Sequence, residues 1–421
     1  MIYKSYENYV DSNIEWIGKI PEHWKITPLK RFTKLHNGKE INVEVEKDDK
    51  NSIGVYGSGG LFKYTNEYLF NGESVLFGRK GTLGKPIYLN KRFWTVDTMY
   101  YLSFNMHLLP KYCYYYLTIY PWNKISTETA KPSVVGNDLI ISLFAIPDMD
   151  EQKQIANYLD KKTGKIDETI SKNKQLIDLL KEKRTALINQ VVTKGLNPEA
   201  PMKDSEIEWI GEIPEHWDVR KLKYLTSKIG SGKTPKGGSE IYVSEGIPLL
   251  RSQNIHFDSV RWDDVVYITN EINKTMWSTI VKNHDVLLNI TGASIGRCNY
   301  IEDIDIANVN QHVCIIRPNK TIFYKYLNYF LQSECGQNQV FLNQNGTSRE
   351  GLNFEDLSNF DIILPDYEEQ IKIVSFIDNE IKKIYSTISK INDSITLLEE
   401  YKTSLIHHVV TGKIDVRGEE I

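Results

Sequence analysis

Two glycine-rich loops carry side chains suited to contacts with a nucleic acid. The first, Gly78-Arg79-Lys80-Gly81-Thr82-Leu83-Gly84-Lys85, follows a strand-like run at 74–77, and the second, from Asn289 to Arg297, follows another at 285–288. Glycine lets a loop approach another backbone closely. The cations of these loops could contact phosphates or guanine edges; they are Arg79, Lys80, Lys85 and Arg297. Each loop could equally be a plain hairpin whose glycines serve the turn, because strand-like runs flank it.

An internal repeat organises the chain around these loops. The segment Ser12-Asn13-Ile14-Glu15-Trp16-Ile17-Gly18-Lys19-Ile20-Pro21-Glu22-His23-Trp24 recurs at 205–217 with two differences, an offset of 205 − 12 = 193. Pro147-Asp148-Met149-Asp150-Glu151-Gln152 recurs at 365–370 as Pro-Asp-Tyr-Glu-Glu-Gln, an offset of 365 − 147 = 218. The flanks match and the middles diverge, which predicts a shared frame around two parts that differ in their task.

Each copy of the second motif begins a long helix. Apolar residues recur at spacings of three, four or seven at Ile155, Leu159, Ile166, Ile170, Ile177, Leu180, Leu187 and Val191. The later stripe consists of Ile373, Ile377, Ile381, Ile384, Ile388, Ile391, Ile395, Leu398, Leu405 and Val409. Stripes this narrow on helices this long favour a coiled-coil seam. The short linker keeps the end of the first helix near the second half, so we expect the second helix to run back antiparallel to it.

The predicted fold class is therefore α+β. Two mixed α/β domains in tandem, called head 1 and head 2 below, are each followed by a long helix, and the helices pair as an antiparallel coiled coil with pseudo-twofold symmetry. The predicted ranges are 1–147 for head 1, 148–193 for the first helix, 194–204 for a linker, 205–365 for head 2, 366–411 for the second helix and 412–421 for a tail. The tail echoes the linker in sequence, so we expect it to dock on head 1 as the linker docks on head 2.

The repeated motifs and the divergent middles together resemble the specificity subunit of type I restriction–modification systems, over nearly the whole chain. Val55-Tyr56-Gly57-Ser58-Gly59-Gly60, Gly78 to Thr82 and Trp94-Thr95-Val96-Asp97-Thr98 look like one type of target-recognition domain of that family. Leu250-Arg251-Ser252-Gln253-Asn254 and the loop from Asn289 to Arg297 look like another. The order and duplication of these motifs carry the resemblance more than any single one.

The resemblance implies a non-catalytic subunit that reads a bipartite site in double-stranded DNA, one half-site with each head. It also implies that the helices bind two methyltransferase subunits and that motor–nuclease subunits join the complex. The chain itself would need no cofactor, since S-adenosylmethionine, ATP and Mg would belong to the partner subunits.

Side-chain chemistry selects candidate DNA contacts, because amides pair bidentately with adenine and arginines with guanine. In head 1 the candidates are Ser58, Lys63, Arg79, Lys80, Thr82, Lys85 and Lys131. In head 2 they are Arg251, Gln253, Asn254, Asn289, Thr291, Ser294, Arg297, Asn310, Gln311 and Arg349. Any one of them could be an ordinary surface or turn residue, so they are predicted as a set.

Other features of the sequence exclude or weaken rival functions. None of the 14 prolines adjoins another, so the Asn/Asp-Pro-Pro-Tyr/Phe loop typical of adenine methyltransferases is absent. Gly230-Ser231-Gly232-Lys233-Thr234 has Ser227 where a phosphate-binding loop requires glycine. Four widely spaced cysteines predict buried thiols and no zinc site, and His407-His408 favours packing or capping over a metal. No apolar run reaches membrane-spanning length, and a cytoplasmic protein is expected.

Charge leaves an alternative open. The net charge is −4; residues 1–148 carry 18 basic and 15 acidic groups, a balance of +3, whereas residues 196–365 carry 16 and 22, a balance of −6. A structural adaptor, in which a coiled coil joins two protein-binding heads, would suit the acidic second head. The glycine-rich basic loops favour DNA binding. A stand-alone nuclease is a further alternative, but the sequence shows no nuclease signature.

Overall fold

The computed structural model describes residues 4–127, 132–235, 237–343 and 351–419. They form two compact units: the first takes the chain up to residue 174 together with residues from 391 onward, and the second takes residues 175–390. Each unit therefore combines one head with parts of both long helices. The predicted domains are continuous stretches of sequence. The first compact unit is not continuous, because each long helix is divided between the two units.

Head 1 is built on a six-stranded sheet. Across the sheet the strands are Thr33–Asn37, Met99–Phe104, Phe70–Gly78, Ile87–Thr95, Ile53–Gly57 and Gly60–Thr65. Neighbouring strands are antiparallel except that Ile53–Gly57 pairs in parallel with the end of Ile87–Thr95. The run Ser74-Val75-Leu76-Phe77, predicted as a strand, is fully buried in the central strand. The helices Pro110–Thr118 and Gly136–Ile141 complete the head.

Head 2 carries two four-stranded sheets. The first has the order Thr226–Ser231, Val313–Pro318, Val286–Asn289 and Cys298–Tyr300. The second has the order Val266–Ile268, Ile247–Leu250, Ala307–Val309 and Ile280–Val281. The helices of this head are Leu222–Leu225, Asn270–Thr275, Tyr324–Gln332, Glu334–Leu342 and Phe354–Ser358. The predicted α+β class, with two mixed heads each followed by a long helix, is confirmed.

The two heads share one backbone framework although their sequences diverge. The parallel pairing of head 1 recurs in head 2 between Ile247–Leu250 and Ala307–Val309. Three backbone hydrogen bonds of head 1 also have counterparts in head 2. The bond from Arg79 N to Thr98 O corresponds to that from Ile290 N to His312 O, and the bond from Val96 N to Tyr56 O corresponds to that from Asn310 N to Leu250 O. The bond from Val134 N to Arg79 O corresponds to that from Leu352 N to Ile290 O. Equivalent positions in the two heads can therefore be named without any sequence match.

Two short two-stranded sheets frame each head. In the first unit Tyr9–Asp11 pairs with Lys19–Pro21, and Lys25–Pro28 pairs with Leu143–Ile146. In the second unit Met202–Asp204 pairs with Glu212–Pro214, and Asp218–Lys221 pairs with Asp361–Leu364. The second sheet of each unit joins the start of a head to its end, so each long helix leaves from beside the point where its head began.

The long helices, Met149–Lys194 and Tyr367–Val410, begin and end within one residue of the predicted bounds. Most predicted stripe residues are buried, and Leu180, Leu187, Ile388, Ile391 and Leu398 are half-buried.

Segments of both helices meet inside each unit. In the first unit Tyr112 Oη donates to Ala145 O and Val410 O, and Lys402 Nζ lies 2.6 Å from Asp167 Oδ1. The first helix thus moves away from Tyr112 as the chain advances while the second approaches it, so the two segments run in opposite directions. In the second unit Tyr326 Oη donates to Val192 O and Ile363 O. Pairing of the helices along their full length stays a prediction.

The repeated sequence motifs meet where each head joins its helix. Glu151 accepts hydrogen bonds from Tyr6 Oη at 2.6 Å and Trp24 Nε1 at 3.1 Å, and lies 2.8 Å from His23 Nε2. Its counterpart Glu369 accepts from Trp217 Nε1 at 2.9 Å and lies 3.0 Å from His216 Nε2. The repeated motifs therefore form hydrogen bonds that hold the N-terminal segment of each head against the first turn of its helix.

The tail and the linker dock in the predicted way. Lys413 Nζ donates to Lys19 O in the first unit, and Lys194 Nζ donates to Glu212 O in the second, where Lys19 and Glu212 are equivalent positions of the repeat. The tail is held further by Asp415, whose backbone N–H donates to Lys4 O at 2.8 Å.

Cys113, Cys298, Cys314 and Cys335 are all buried free thiols, as predicted, and burial raises the pKa of Cys314 to about 12. Within the described ranges no group of histidine, cysteine and acidic residues is placed to hold a metal ion. None of the helices in those ranges is long and apolar enough to cross a membrane.

Candidate nucleic-acid interface

In head 1 the glycine loop (78–85) is fixed by backbone hydrogen bonds on both sides. Arg79 N donates to Thr98 O at 2.8 Å, and Arg79 O accepts from Val134 N at 2.9 Å. Gly81 N donates to Pro132 O at 3.1 Å. The glycines are needed here, since a Cβ on Gly78 would lie closer than 3.0 Å to Thr82 O, and Gly81 has a φ of 85°. The backbone of this loop is therefore held in one defined conformation by its neighbours.

The cations of this loop face solvent. Lys80, Thr82 and Lys85 are exposed, and neither lysine side chain makes a hydrogen bond or ion pair with any residue that the structure describes. The Arg79 guanidinium lies 5.7 Å above the Tyr100 ring, which leaves its donors available to a ligand. Ser58 lies beside the loop, with its Oγ 3.7 Å from where a Cβ on Gly81 would stand. Four predicted residues of head 1, Ser58, Arg79, Lys80 and Thr82, are thus brought together.

The remaining two candidates of head 1 are Lys63 and Lys131. Lys63 is occupied by an ion pair, with Nζ 2.6 Å from Glu44 Oε2, on the edge strand Gly60–Thr65. An exposed pair of this kind contributes little stability, and it still leaves Lys63 less available to a phosphate. Lys131 lies outside the described residues.

In head 2 the turn Arg251–Asn254 follows the strand Ile247–Leu250. Asn254 is fully buried, and its amide caps the turn: Oδ1 accepts from Arg251 N at 2.9 Å, and Nδ2 donates to Arg261 O and Asp264 O. Gln253 is exposed and donates to Asp264 Oδ2 at 2.5 Å. Arg251 donates to Asp264 O. Asn254 therefore holds the turn together and presents no free edge, whereas Arg251 and Gln253 remain at the surface.

The glycine loop of head 2 (289–297) is built around another buried amide. Asn289 Nδ2 donates to Ser252 O at 2.8 Å and Ser294 Oγ at 3.1 Å, which ties this loop to the turn Arg251–Asn254. Asn289 thus serves the framework, and Ser294 is engaged by it. Arg297 is half-buried, and its guanidinium makes no hydrogen bond or ion pair within the described part of the chain. It is the clearest cation of this loop for a phosphate or a guanine.

A third segment completes the surface of head 2. Asn310 Oδ1 accepts from His312 N at 3.1 Å, and His312 Nδ1 lies 2.5 Å from Thr291 Oγ1. Gln311 is exposed; its Nε2 lies 2.8 Å from His312 Nε2, and Thr234 donates to its Oε1. The polar side chains Thr234, Gln311, His312 and Thr291 thus form one hydrogen-bonded row across the ends of the strands. Arg349 lies outside the described residues.

Two carboxylates of head 2 are engaged by other groups of the head. Asp285 is fully buried and pairs bidentately with Arg317, with both N···O distances 2.7 Å. Asp264 accepts from Gln253 and, through its carbonyl, from Arg251 and Asn254. The Asp285–Arg317 pair leaves the balance of −6 unchanged, because both of its charges are counted in that balance.

Sequence reasoning missed three residues that the framework places in the site. Thr234 and His312 hold Gln311, and Asp97 occupies in head 1 the position of Gln311 in head 2, because Val96 matches Asn310 and Thr98 matches His312. Asp97 lies in the motif Trp94 to Thr98, but an acidic side chain is not an obvious candidate for a DNA contact. Only the hydrogen-bond equivalence of the heads identifies its position.

Comparisons with known proteins give a consistent result. The family model described as type I restriction modification DNA specificity domain matches residues 21–181 and 214–397. The MjaVIII specificity subunit of a type I restriction enzyme from Methanocaldococcus jannaschii is 26% identical over 420 residues, 95% of each chain. The EcoBI specificity subunit from Escherichia coli is 24% identical over 436 residues, 96% of this chain and 89% of the relative. A solved chain described under complex assembly and conformational transition of the type I R-M system has a similar fold, with a TM-score of 0.68 and 14% identity, covering 93% of this chain and 98% of that one.

Proposed function

Because the chain belongs to the type I restriction–modification DNA specificity family, we propose that it is the DNA-reading subunit of such a complex, with each head recognising one half of a bipartite duplex site. The single observation that carries this proposal is the duplicated surface. In each head a glycine loop and a turn, held by matching backbone hydrogen bonds, lie together at the same ends of the framework strands. Different side chains on one framework suit two half-sites of different sequence.

The proposed partners follow from the same family. Two methyltransferase subunits would dock on the long helices, and motor–nuclease subunits would join the full complex. Catalysis, together with S-adenosylmethionine, ATP and Mg, would belong to those subunits, and this chain would work beside them in the cytoplasm. The rival proposal, an adaptor with two protein-binding heads, draws support from the acidic balance of head 2. It gives no reason for the side chains of Lys80 and Arg297, which have no ion-pair partner among the described residues.

The basic loop of head 1 gives the sharpest test of DNA binding. We expect Arg79→Ala/Lys80→Ala to weaken binding of the assembled complex by about 1–3 kcal/mol if one side chain contacts a base, or to flatten the salt dependence if both contact phosphates only. The matched control is Lys47→Ala/Lys50→Ala, which removes the same charge from exposed sites of the same head. The measurement is a mobility shift on duplex DNA at several salt concentrations, with and without co-expressed methyltransferase subunits.

The control variant should change affinity less than the loop variant. An Arg79→Ala/Lys80→Ala complex with unchanged affinity and salt slope would return the loop to the role of a structural hairpin. If the wild-type complex bound no duplex DNA at all, the result would favour the adaptor proposal.

A further inference from the structure

The segments 96–98 of head 1 and 310–312 of head 2, called the tip turns, occupy equivalent positions. Each begins at a residue whose N–H donates to the end of the parallel partner strand, Val96 to Tyr56 O and Asn310 to Leu250 O. Each ends at a residue whose carbonyl accepts from the glycine loop, Thr98 from Arg79 and His312 from Ile290. The central residues are therefore Asp97 and Gln311, and both are exposed.

A glycine pins each tip turn to the neighbouring strand. A Cβ on Gly38 would lie closer than 3.0 Å to Val96 O, and a Cβ on Gly232 closer than 3.0 Å to Val309 O and Asn310 O. Backbone atoms in such close contact fix the height of the turn above the sheet. The tip turns are thus the same rigid element in both heads, and only their side chains differ.

In head 2 the Gln311 amide is held by a hydrogen-bond partner on each side. An amide nitrogen only donates, so the facing His312 Nε2 accepts, and His312 Nδ1–H is left to donate to Thr291 Oγ1. Thr234 donates to Gln311 Oε1. One N–H and one lone pair of the amide remain for a ligand. That is the donor–acceptor pair that matches N7 and the N6 amino group of adenine in the major groove.

In head 1 the equivalent Asp97 carboxylate presents acceptors only. It makes no hydrogen bond or ion pair with the residues that the structure describes, although the neighbouring glycine loop carries Arg79 and Lys80. An unpaired carboxylate on a surface that meets DNA is repelled by phosphates, so the contact is favourable only where the ligand offers a donor. The exocyclic amino group of cytosine, N4, is such a donor in the major groove.

We propose that the tip turns are the base-reading element of both heads, with Asp97 and Gln311 as equivalent specificity-determining residues. Asp97 accepts from an exocyclic amino group, preferentially that of cytosine, and Gln311 pairs with adenine. Thr234 and His312 act as positioning residues for Gln311. This inference rests on the proposed function and names the residues through which it works.

The test uses the full chain co-expressed with its methyltransferase subunits. Methylome sequencing first defines the bipartite motif of the wild type, and binding to duplexes with single base-pair changes then ranks the bases at each position. We expect Asp97→Asn to change the preference at one base pair of one half-site by about tenfold to a hundredfold, and Gln311→Glu to do the same in the other half-site only. Asp48→Asn, an exposed carboxylate of head 1, is the matched control and should keep the wild-type ranking.

Each outcome decides the matter. If both variants rank all bases as the wild type does, or lose affinity uniformly for every sequence, the tip turns do not read bases. If Asp97→Asn and Gln311→Glu alter the same half-site, the equivalence of the two turns is wrong. A wild-type complex that methylates no bipartite motif would instead overturn the proposed function itself, and is recognised before any variant is made.

Discussion

Glu151→Ala should lower the free energy of unfolding of the first unit by about 3–4 kcal/mol, since it removes a buried charged acceptor shared by three donors. The Glu151 side chain is 4% exposed and contacts Tyr6, His23 and Trp24. Burial and the carboxylate together hold the pKa of Tyr6 well above its usual range, so the hydroxyl stays a donor. In the alanine variant the hydroxyl and the indole N–H would remain buried without an acceptor.

The repeat supplies the comparison for this prediction. Glu369→Ala should cost about 1–2 kcal/mol, because that carboxylate is 24% exposed and water can replace part of its contacts with Trp217 and His216. Glu22→Ala removes an exposed carboxylate beside His23 and should have almost no effect. Urea unfolding followed by tryptophan fluorescence measures all three. A Glu151→Ala protein as stable as Glu22→Ala would show that the junction does not hold head 1 to its helix.

Gly232→Ala should abolish recognition of the half-site read by head 2, with loss of at least a hundredfold in affinity for that half-site. A methyl group cannot fit against Val309 O and Asn310 O, so either the strand end or the tip turn must move. Overpacking of this kind typically costs about 1–3 kcal/mol of stability. The displacement falls directly on Asn310 and on Gln311, and Gln311 carries the proposed base contact.

The matched control, Gly230, lies two residues earlier, within the strand Thr226–Ser231. A Cβ on Gly230 meets nothing within 4 Å, and its backbone does not lie in the left-handed region. Gly230→Ala should therefore keep binding and motif, and binding assays on duplexes altered in one half-site separate the two variants. Intact head 2 specificity in Gly232→Ala would mean that the position of the tip turn does not matter for recognition.

Much of the fold could be predicted because its signals are local and repeated. Helical periodicity marked both long helices to within one residue, and the motif pairs at Trp24 and Glu151 marked the frame. The division into units could not be predicted from local signals, because it depends on which helix segments pack against which head. The shared framework of the heads was also invisible, since it is carried by backbone hydrogen bonds between strands whose side chains differ.

The candidate site was predicted in part for a similar reason. Spacing and residue type identified the glycine loops, and the structure places Arg79, Lys80 and Arg297 on them without a carboxylate partner among the residues that it describes. Residue type alone could not separate Asn254 and Asn289, whose amides are buried in the framework, from Gln311, whose amide faces outward. Residue type also could not identify Asp97 as a candidate, because only its structural equivalence to Gln311 indicates a role in recognition.

The most direct test of the central claim, that each head reads one half-site, is an exchange of head 1. Residues 26–146 would be replaced by the equivalent segment of a relative with a different known motif, leaving the junction at Trp24 and Glu151 intact. Methylome sequencing of cells that express the exchanged chain with the methyltransferase subunits should show one half of the bipartite motif changed to that of the relative and the other half retained. A motif altered in both halves, or unaltered in both, would contradict the account.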